Sequence, residues 1–180
     1  MEKRYDYLKT DKEMQFFWQL DGTYTFDPYS SDELYSIDTP PPTVSGALHI
    51  GHIFSYTQAE IIARYKRMVG FNVFYPFGFD DNGLPTERLV EKEEGVLARE
   101  LTREEFNLKC IDKIDKYTNE FKELWKTLGF SCDWNLQYDT VSKEIQRLSQ
   151  TEFIKLIESG EAYIKKAPIL WCTSCRTSIA

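Results

Sequence analysis

His49 and His52 are the only histidines in the chain, and they stand three residues apart. On a helix that spacing places both imidazoles on one face. Gly46 precedes the pair and Gly51 lies inside it. A helix that starts here brings its unpaired N–H groups and the positive end of its dipole to the same spot, a setting that suits phosphate. The plainer alternative is a pair that only caps the helix. Gly46 permits a sharp bend or the close approach of a ligand to backbone; Gly51 leaves backbone bare for a ligand or serves packing, and these readings are compatible. A second group is Asp80 in the block Gly78-Phe79-Asp80-Asp81-Asn82-Gly83-Leu84-Pro85-Thr86-Glu87. An anionic carboxylate in a partly dry cleft gives strong charge-assisted binding. Asp81 is read as a neighbour without a role of its own, pointing to solvent. A third group, Cys172 and Cys175, has the spacing of half a zinc knuckle. Tetrahedral zinc needs two more ligands, and none follows in the chain. Cys110 and Cys132 join such a site only if the fold brings them close.

The elements that must position these residues are legible in outline. Leu34 to Asp38 reads as a strand that feeds Pro40, Pro41 and Pro42. Three prolines fix φ and donate no backbone hydrogen bonds, so the exit from the strand is extended and stiff. A helix is expected from about Leu48 to Met68, with Ile50, Phe54, Ile61, Ile62, Tyr65 and Met68 at helical spacing and Gly70 closing it. Phe71 to Tyr75 is a second strand, apolar enough to be buried on both faces. Strand, helix, strand makes a right-handed parallel βαβ unit, and ligands bind such units at the carboxyl ends of the strands. The histidine block and the Asp80 block both fall at such ends.

Further along, a short helix is expected around Glu87 to Glu94. Thr102-Arg103-Glu104-Glu105 is a capping box that opens a long helix. Its apolar face is Phe106, Cys110, Ile114, Tyr117, Phe121, Leu124 and Leu128, and Gly129 ends it. Ser131-Cys132-Asp133-Trp134 is a turn. Another helix runs from about Val141 to Glu158, followed by extended segments at Ala162 to Ile164 and Ile169 to Trp171. Residues 1–34 form a leader, with a short helix near Asp11 to Trp18 and aromatic residues that pack on the domain.

Composition narrows the function classes. The chain has 180 residues, 42% hydrophobic content and a net charge of −7. That balance argues against these residues forming a nucleic-acid-binding surface by themselves, since phosphate contacts need clustered Lys and Arg. Arg64, Lys66 and Arg67 are expected to form a solvated helix face. No apolar run approaches the roughly 20 residues that span a bilayer, and the amino terminus lacks the apolar core of a signal peptide. The expectation is a cytoplasmic protein without membrane contact.

The proline run, Gly46 and His49-Ile50-Gly51-His52 together resemble the first signature of the class I aminoacyl-tRNA synthetases. The Asp80 block resembles the amino-acid-binding loop of the members for branched aliphatic amino acids, with the valine branch nearest and the isoleucine branch next. The fold class implied is α/β: the first half of a Rossmann-like parallel-sheet nucleotide-binding domain with added helices. The resemblance implies ATP with Mg2+ and valine or a similar branched aliphatic amino acid as ligands. tRNA contacts are then expected mainly in regions absent here. It assigns His49 and His52 to catalysis, with Gly46, His49, Gly51 and His52 binding ATP. Adenine is expected near Gly51. Asp80 takes the substrate's α-ammonium group, and Pro40, Pro41 and Thr43 wall the amino-acid pocket. Residues 35–171 correspond to the first half of the catalytic domain. Residues 172–180 correspond to the start of a connection to an editing insertion absent from the chain, where Cys172 and Cys175 are half a site for Zn2+ that is expected to stay empty in this piece. Two other readings compete: a non-catalytic nucleotide-binding or interaction module derived from a synthetase, and a nucleotidyltransferase. The Asp80 loop and the segment from Trp171 argue against the latter.

Overall fold

The computed structural model describes residues 5–44, 48–174 and 176–178. The chain divides into two compact units, Met1–Ser142 and Lys143–Ala180. In the first unit, β1 (Leu34–Ser36) and β2 (Asn72–Phe74) pair in parallel, with Tyr35 opposite Val73. They are joined through α2 (Ile50–Met68), so the expected βαβ unit is present. Pro76 lies beyond β2, and pairing resumes at β3 (Gly78–Phe79), which runs parallel to β4 (Tyr138–Asp139). On its other side the same segment meets the chain leaving β1, through a parallel bridge between Thr43 and Asp80. Residues 72–80 therefore carry strand neighbours on both flanks, and the Asp80 block sits at their carboxyl end.

The core explains why this segment is central. Val73, Tyr75, Phe77 and Phe79 are all buried, with Tyr56 and Ala63 of α2 packed in the same cluster. From α4 (Arg103–Thr127) come Ile114, Tyr117, Phe121 and Trp125. Phe77 lies 5.9 Å from the Trp125 ring and 5.4 Å from that of Trp134. Aromatic side chains bury ~150–250 Å² each, so this cluster supplies much of the unit's hydrophobic stabilisation. The capping box of α4 forms as expected: Glu105 N–H donates to Thr102 Oγ1 at 3.2 Å, and Thr102 N–H donates to Glu105 Oε2 at 3.0 Å. Trp125, fully buried, stands beside the expected apolar face of α4 and anchors it.

The helix expected at Leu48 to Met68 forms as α2, but the apolar residues at helical spacing are not its buried face. Its apolar stripe is exposed: Ile50 at 78%, Phe54 at 68% and Met68 at 85%. The buried face is Tyr56, Glu60 and Ala63. Glu60 is held there by polar contacts rather than by hydrophobicity. One carboxylate oxygen accepts from Arg64 Nε at 2.6 Å and the other from Ser131 N–H at 2.9 Å. Arg67 Nη1 donates to Ser131 Oγ at 2.6 Å, and Arg64 also donates to the Gly129 carbonyl. The Arg64 guanidinium lies 5.3 Å from the Trp18 ring centre, and Lys66 Nζ lies 4.1 Å from that of Phe71. Arg64, Lys66 and Arg67 are thus half-buried braces for the turn after α4 and for the strand entry, not a solvated face. The turn itself is buried at Ser131, Cys132 and Asp133, and Asp133 Oδ2 accepts from Phe26 N–H at 3.0 Å.

Other boundaries shift for local reasons. α1 (Tyr7–Asp21) is longer than expected, capped by Asp6 and closed by Gly22 at φ 66. α3 (Leu84–Glu94) starts earlier because Gly83, at φ 94, turns the chain and Pro85 suits a first helical turn. In the second unit, α5 (Lys143–Glu158) has no buried residue, residues 162–164 form no strand, and β5 (Trp171–Cys172) pairs antiparallel with β6 (Thr177–Ser178).

Candidate active site

The junction of Thr43 with Asp80 is built mostly from backbone. Asp80 N–H donates to the Pro42 carbonyl and Val44 N–H donates to the Asp80 carbonyl, each at 2.9 Å. Two hydroxyls then orient the Asp80 carboxylate. Thr43 Oγ1 donates to Oδ2 at 3.2 Å, and Thr140 Oγ1 donates to Oδ1 at 3.5 Å. Asn82 N–H donates to Oδ1 at 3.3 Å. Asp80 is half-buried, so its carboxylate is held in place and stays partly accessible. Pro42 is buried, Pro41 half-buried and Pro40 exposed. The Pro40 carbonyl accepts from the Tyr56 hydroxyl, which ties the proline run to α2. Thr86, buried at the start of α3, donates to the Val44 carbonyl at 2.7 Å and locks the third side. Gly78 is required by packing: a Cβ there would run into the Tyr138 ring.

The histidine pair starts α2 as expected. His49 is the extended N-cap residue, at φ −120 and ψ 170. Its Nδ1 accepts from Gly51 N–H at 3.1 Å, and His52 Nδ1 accepts from His49 N–H at 3.4 Å. The ring centres lie 4.1 Å apart. A ring nitrogen that accepts carries no proton, so each imidazole proton sits on Nε2. The helix tip therefore offers two side-chain N–H donors at the positive end of its dipole. Burial, then the neighbouring His49, lowers the pKa of His52, which keeps that ring neutral at neutral pH. A Cβ on Gly51 would stand 2.9 Å from His49 Cε1, so the bare position lets the His49 ring fold onto the helix start. The packing role of Gly51 is visible here. Gly46 lies outside the described residues.

No hydrogen bond joins the histidine pair to Asp80 among the described residues. A groove of about 670 Å³ lies elsewhere, lined by Trp18, Tyr24, Lys122, Lys126 and Trp134 among others. It holds none of the expected site residues, and the polar geometry around Asp80 and the histidines identifies the site better than groove size does.

Asp81 is a correction. It does not face solvent: the residue is 3% exposed, and its N–H donates to Thr140 Oγ1 at 2.9 Å. Thr140 itself is a residue that sequence reasoning missed. It lies about sixty positions downstream of Asp80, in no motif, and only the parallel pairing of β3 with β4 delivers it.

The cysteines are separate. Burial pushes the Cys132 thiol far up, so it stays protonated and inert. Burial also raises Cys110. Cys172 lies on β5, and Cys175 is outside the described residues. Among the described residues no group of three or more His, Cys, Asp or Glu stands where it can hold a metal ion. None of the described helices is long and apolar enough to cross a membrane.

Comparisons with known proteins give the family. Residues 13–180 match the family model described as tRNA synthetases class I (I, L, M and V). A valine–tRNA ligase of Rickettsia prowazekii is 47% identical over 179 residues, covering 99% of this chain and 22% of the relative. One from the Wolbachia of Brugia malayi is 48% identical over 180 residues, covering 100% of this chain and 21% of the relative. Among solved structures, the ternary complex of Agrobacterium radiobacter K84 agnB2 LeuRS with tRNA and LeuAMS superimposes with a TM-score of 0.78 at 26% identity. That match covers 98% of this chain and 21% of the solved one. The chain thus spans about a fifth of the length of the curated relatives it matches. With its parallel strands, the histidine pair at a helix start and the oriented Asp80, the chain belongs to the class I tRNA synthetases for isoleucine, leucine, methionine and valine.

Proposed function

We propose that this chain is the amino-terminal part of the catalytic domain of a cytoplasmic valine–tRNA ligase, binding ATP and valine for adenylate formation. The observation that carries the reading is the match to valine–tRNA ligases along essentially the whole chain, 47% identical in the Rickettsia prowazekii case. The Thr43–Asp80 junction supports it, because an oriented anion at a strand end suits an α-ammonium group. Pro40, Pro41 and Thr43 stand beside it as a stiff pocket wall. Stiffness matters because one methylene gives only about 1–3 kcal/mol of discrimination.

In the reaction a valine carboxylate oxygen attacks the α-phosphorus of ATP. A new P–O bond to the carboxylate forms, the bond to the bridging oxygen breaks, and pyrophosphate leaves with that electron pair. Charge spreads over phosphate oxygens, so positioning and electrostatic stabilisation do most of the work. His49 and His52 supply Nε2–H donors to those oxygens, and the helix start adds its dipole. One such donor is worth about 2.7–4 kcal/mol of barrier. Mg2+ accompanies ATP in such chemistry, and the described residues assign it no ligand set. Cys172 with Cys175 remains half a zinc site at most, to be completed elsewhere. tRNA contacts fall mainly to other parts of the protein, since net charge is −7 and Arg64 and Arg67 are spent on internal partners. ATP–pyrophosphate exchange in the protein carrying this chain tests the reading. Exchange is expected to depend on valine and to fall off with isoleucine; exchange indifferent to valine would contradict it.

A further inference from the structure

Asp81 is a buried polar group that the chemistry above does not use. The residue is 3% exposed, and neither carboxylate oxygen has a hydrogen-bond partner among the described residues. A carboxylate that accepts nothing in a dry site is not stabilised as an anion. Its position leaves little room for escape. The Asp81 N–H is fixed on Thr140 Oγ1, and the preceding residue is clamped between Pro42 and Val44. Three other carboxylates act on it: Asp139 from β4, Asp80 beside it and Asp115 from α4, with no basic group among these influences. A metal ion would relieve that repulsion, but the described residues form no ligand group for one. A proton does so at no geometric cost. Burial first, then Asp139, Asp80 and Asp115, push Asp81 up to about 7.

We propose that Asp81 is a positioning residue that holds a proton while the amino-acid site is empty and releases it to solvent when an ammonium group binds at Asp80. The proposal deepens the reading above and rests on Asp80 as the ammonium ligand. The cation cancels the Asp80 charge that helps keep Asp81 protonated. The acid then ionises, its proton passes to buffer, and the new anion adds to the attraction that holds the ammonium. By reciprocity, protons and amino acid compete. Affinity for valine therefore rises with pH through neutrality, by roughly 5–150-fold at the usual strength of such coupling. The hydroxyls of Thr43 and Thr140 keep Asp80 in place throughout.

Isothermal calorimetry of valine binding to the protein carrying this chain, without ATP, at pH 7 in phosphate and in Tris, tests it. Tris takes up a proton with strong release of heat, so binding is expected to be more exothermic in Tris. Asp81→Asn keeps the shape of the neutral acid and has no proton to give, so it binds valine with equal heats in both buffers. A second variant guards against misfolding of the first. Asp139→Asn removes one repelling charge and moves the pH of greatest proton release downward. Equal heats for the unaltered protein, a difference that survives Asp81→Asn, or an unmoved maximum in Asp139→Asn each overturn the proposal. Absence of any valine binding overturns the reading of Asp80 itself, and the proposal with it.

Discussion

A carboxyl group that titrates near 3.8 in the unfolded chain and near 7 in the folded one makes the folded state bind an extra proton between those values. Stability from Asp81 is therefore fully present below pH 3.8, declines as pH rises, and is lost through about pH 7. Asp81→Asn removes that decline. The variant is expected to raise the melting temperature at pH 8 well above its effect at pH 4.5, and thermal unfolding at the two values checks it; equal effects would contradict the buried, unpartnered placement. At this scale the sequence exposed Asp80, because its block carries a recognisable pattern of glycine, acid and proline. It misplaced Asp81, which was expected to face solvent and is buried. Two adjacent aspartates look alike in sequence, and only strand geometry turns one toward hydroxyl donors and the other into a site without partners.

Among the elements, α4 was the most legible and α2 the least. The capping box and the three-and-four spacing of Phe106, Ile114, Tyr117 and Phe121 describe a helix with one buried face, and that face is buried. In α2 the apolar residues mark a face that nothing in the first unit covers, while the covered face carries Glu60. Periodicity reports where a helix is apolar; it does not report which face meets the sheet when a salt-bridged carboxylate can be buried instead. Glu60 ties α2 to the turn after α4, so its loss is informative. Glu60→Ala leaves the Ser131 N–H buried without an acceptor, at about 1–3 kcal/mol. Arg64 keeps access to water and adds little. Denaturant unfolding is expected to show that loss with Glu60→Gln milder, and an unchanged midpoint in Glu60→Ala would remove Glu60 as a brace.

For the molecule as a whole, the histidine block and the Asp80 block lie at the carboxyl ends of parallel strands, which is where topology alone places a ligand crevice. The topology was readable because the βαβ unit is local in sequence; the partnership with β4 was not, because it joins segments some sixty residues apart. The exposed stripe on α2, with Leu34 at 57% and the uncovered apolar residues of α5, leaves a 180-residue polypeptide with large apolar surface in water. On its own such a polypeptide is expected to self-associate with rising concentration, and sedimentation that shows a monomer throughout would contradict this. The central claim concerns chemistry, and ATP–pyrophosphate exchange reaches it most directly. In the protein carrying this chain, His52→Ala is expected to lower the exchange rate about 10²–10³-fold at saturating valine. Asp80→Asn is expected to act mainly by raising the KM for valine. Exchange that survives both substitutions unchanged would contradict the account.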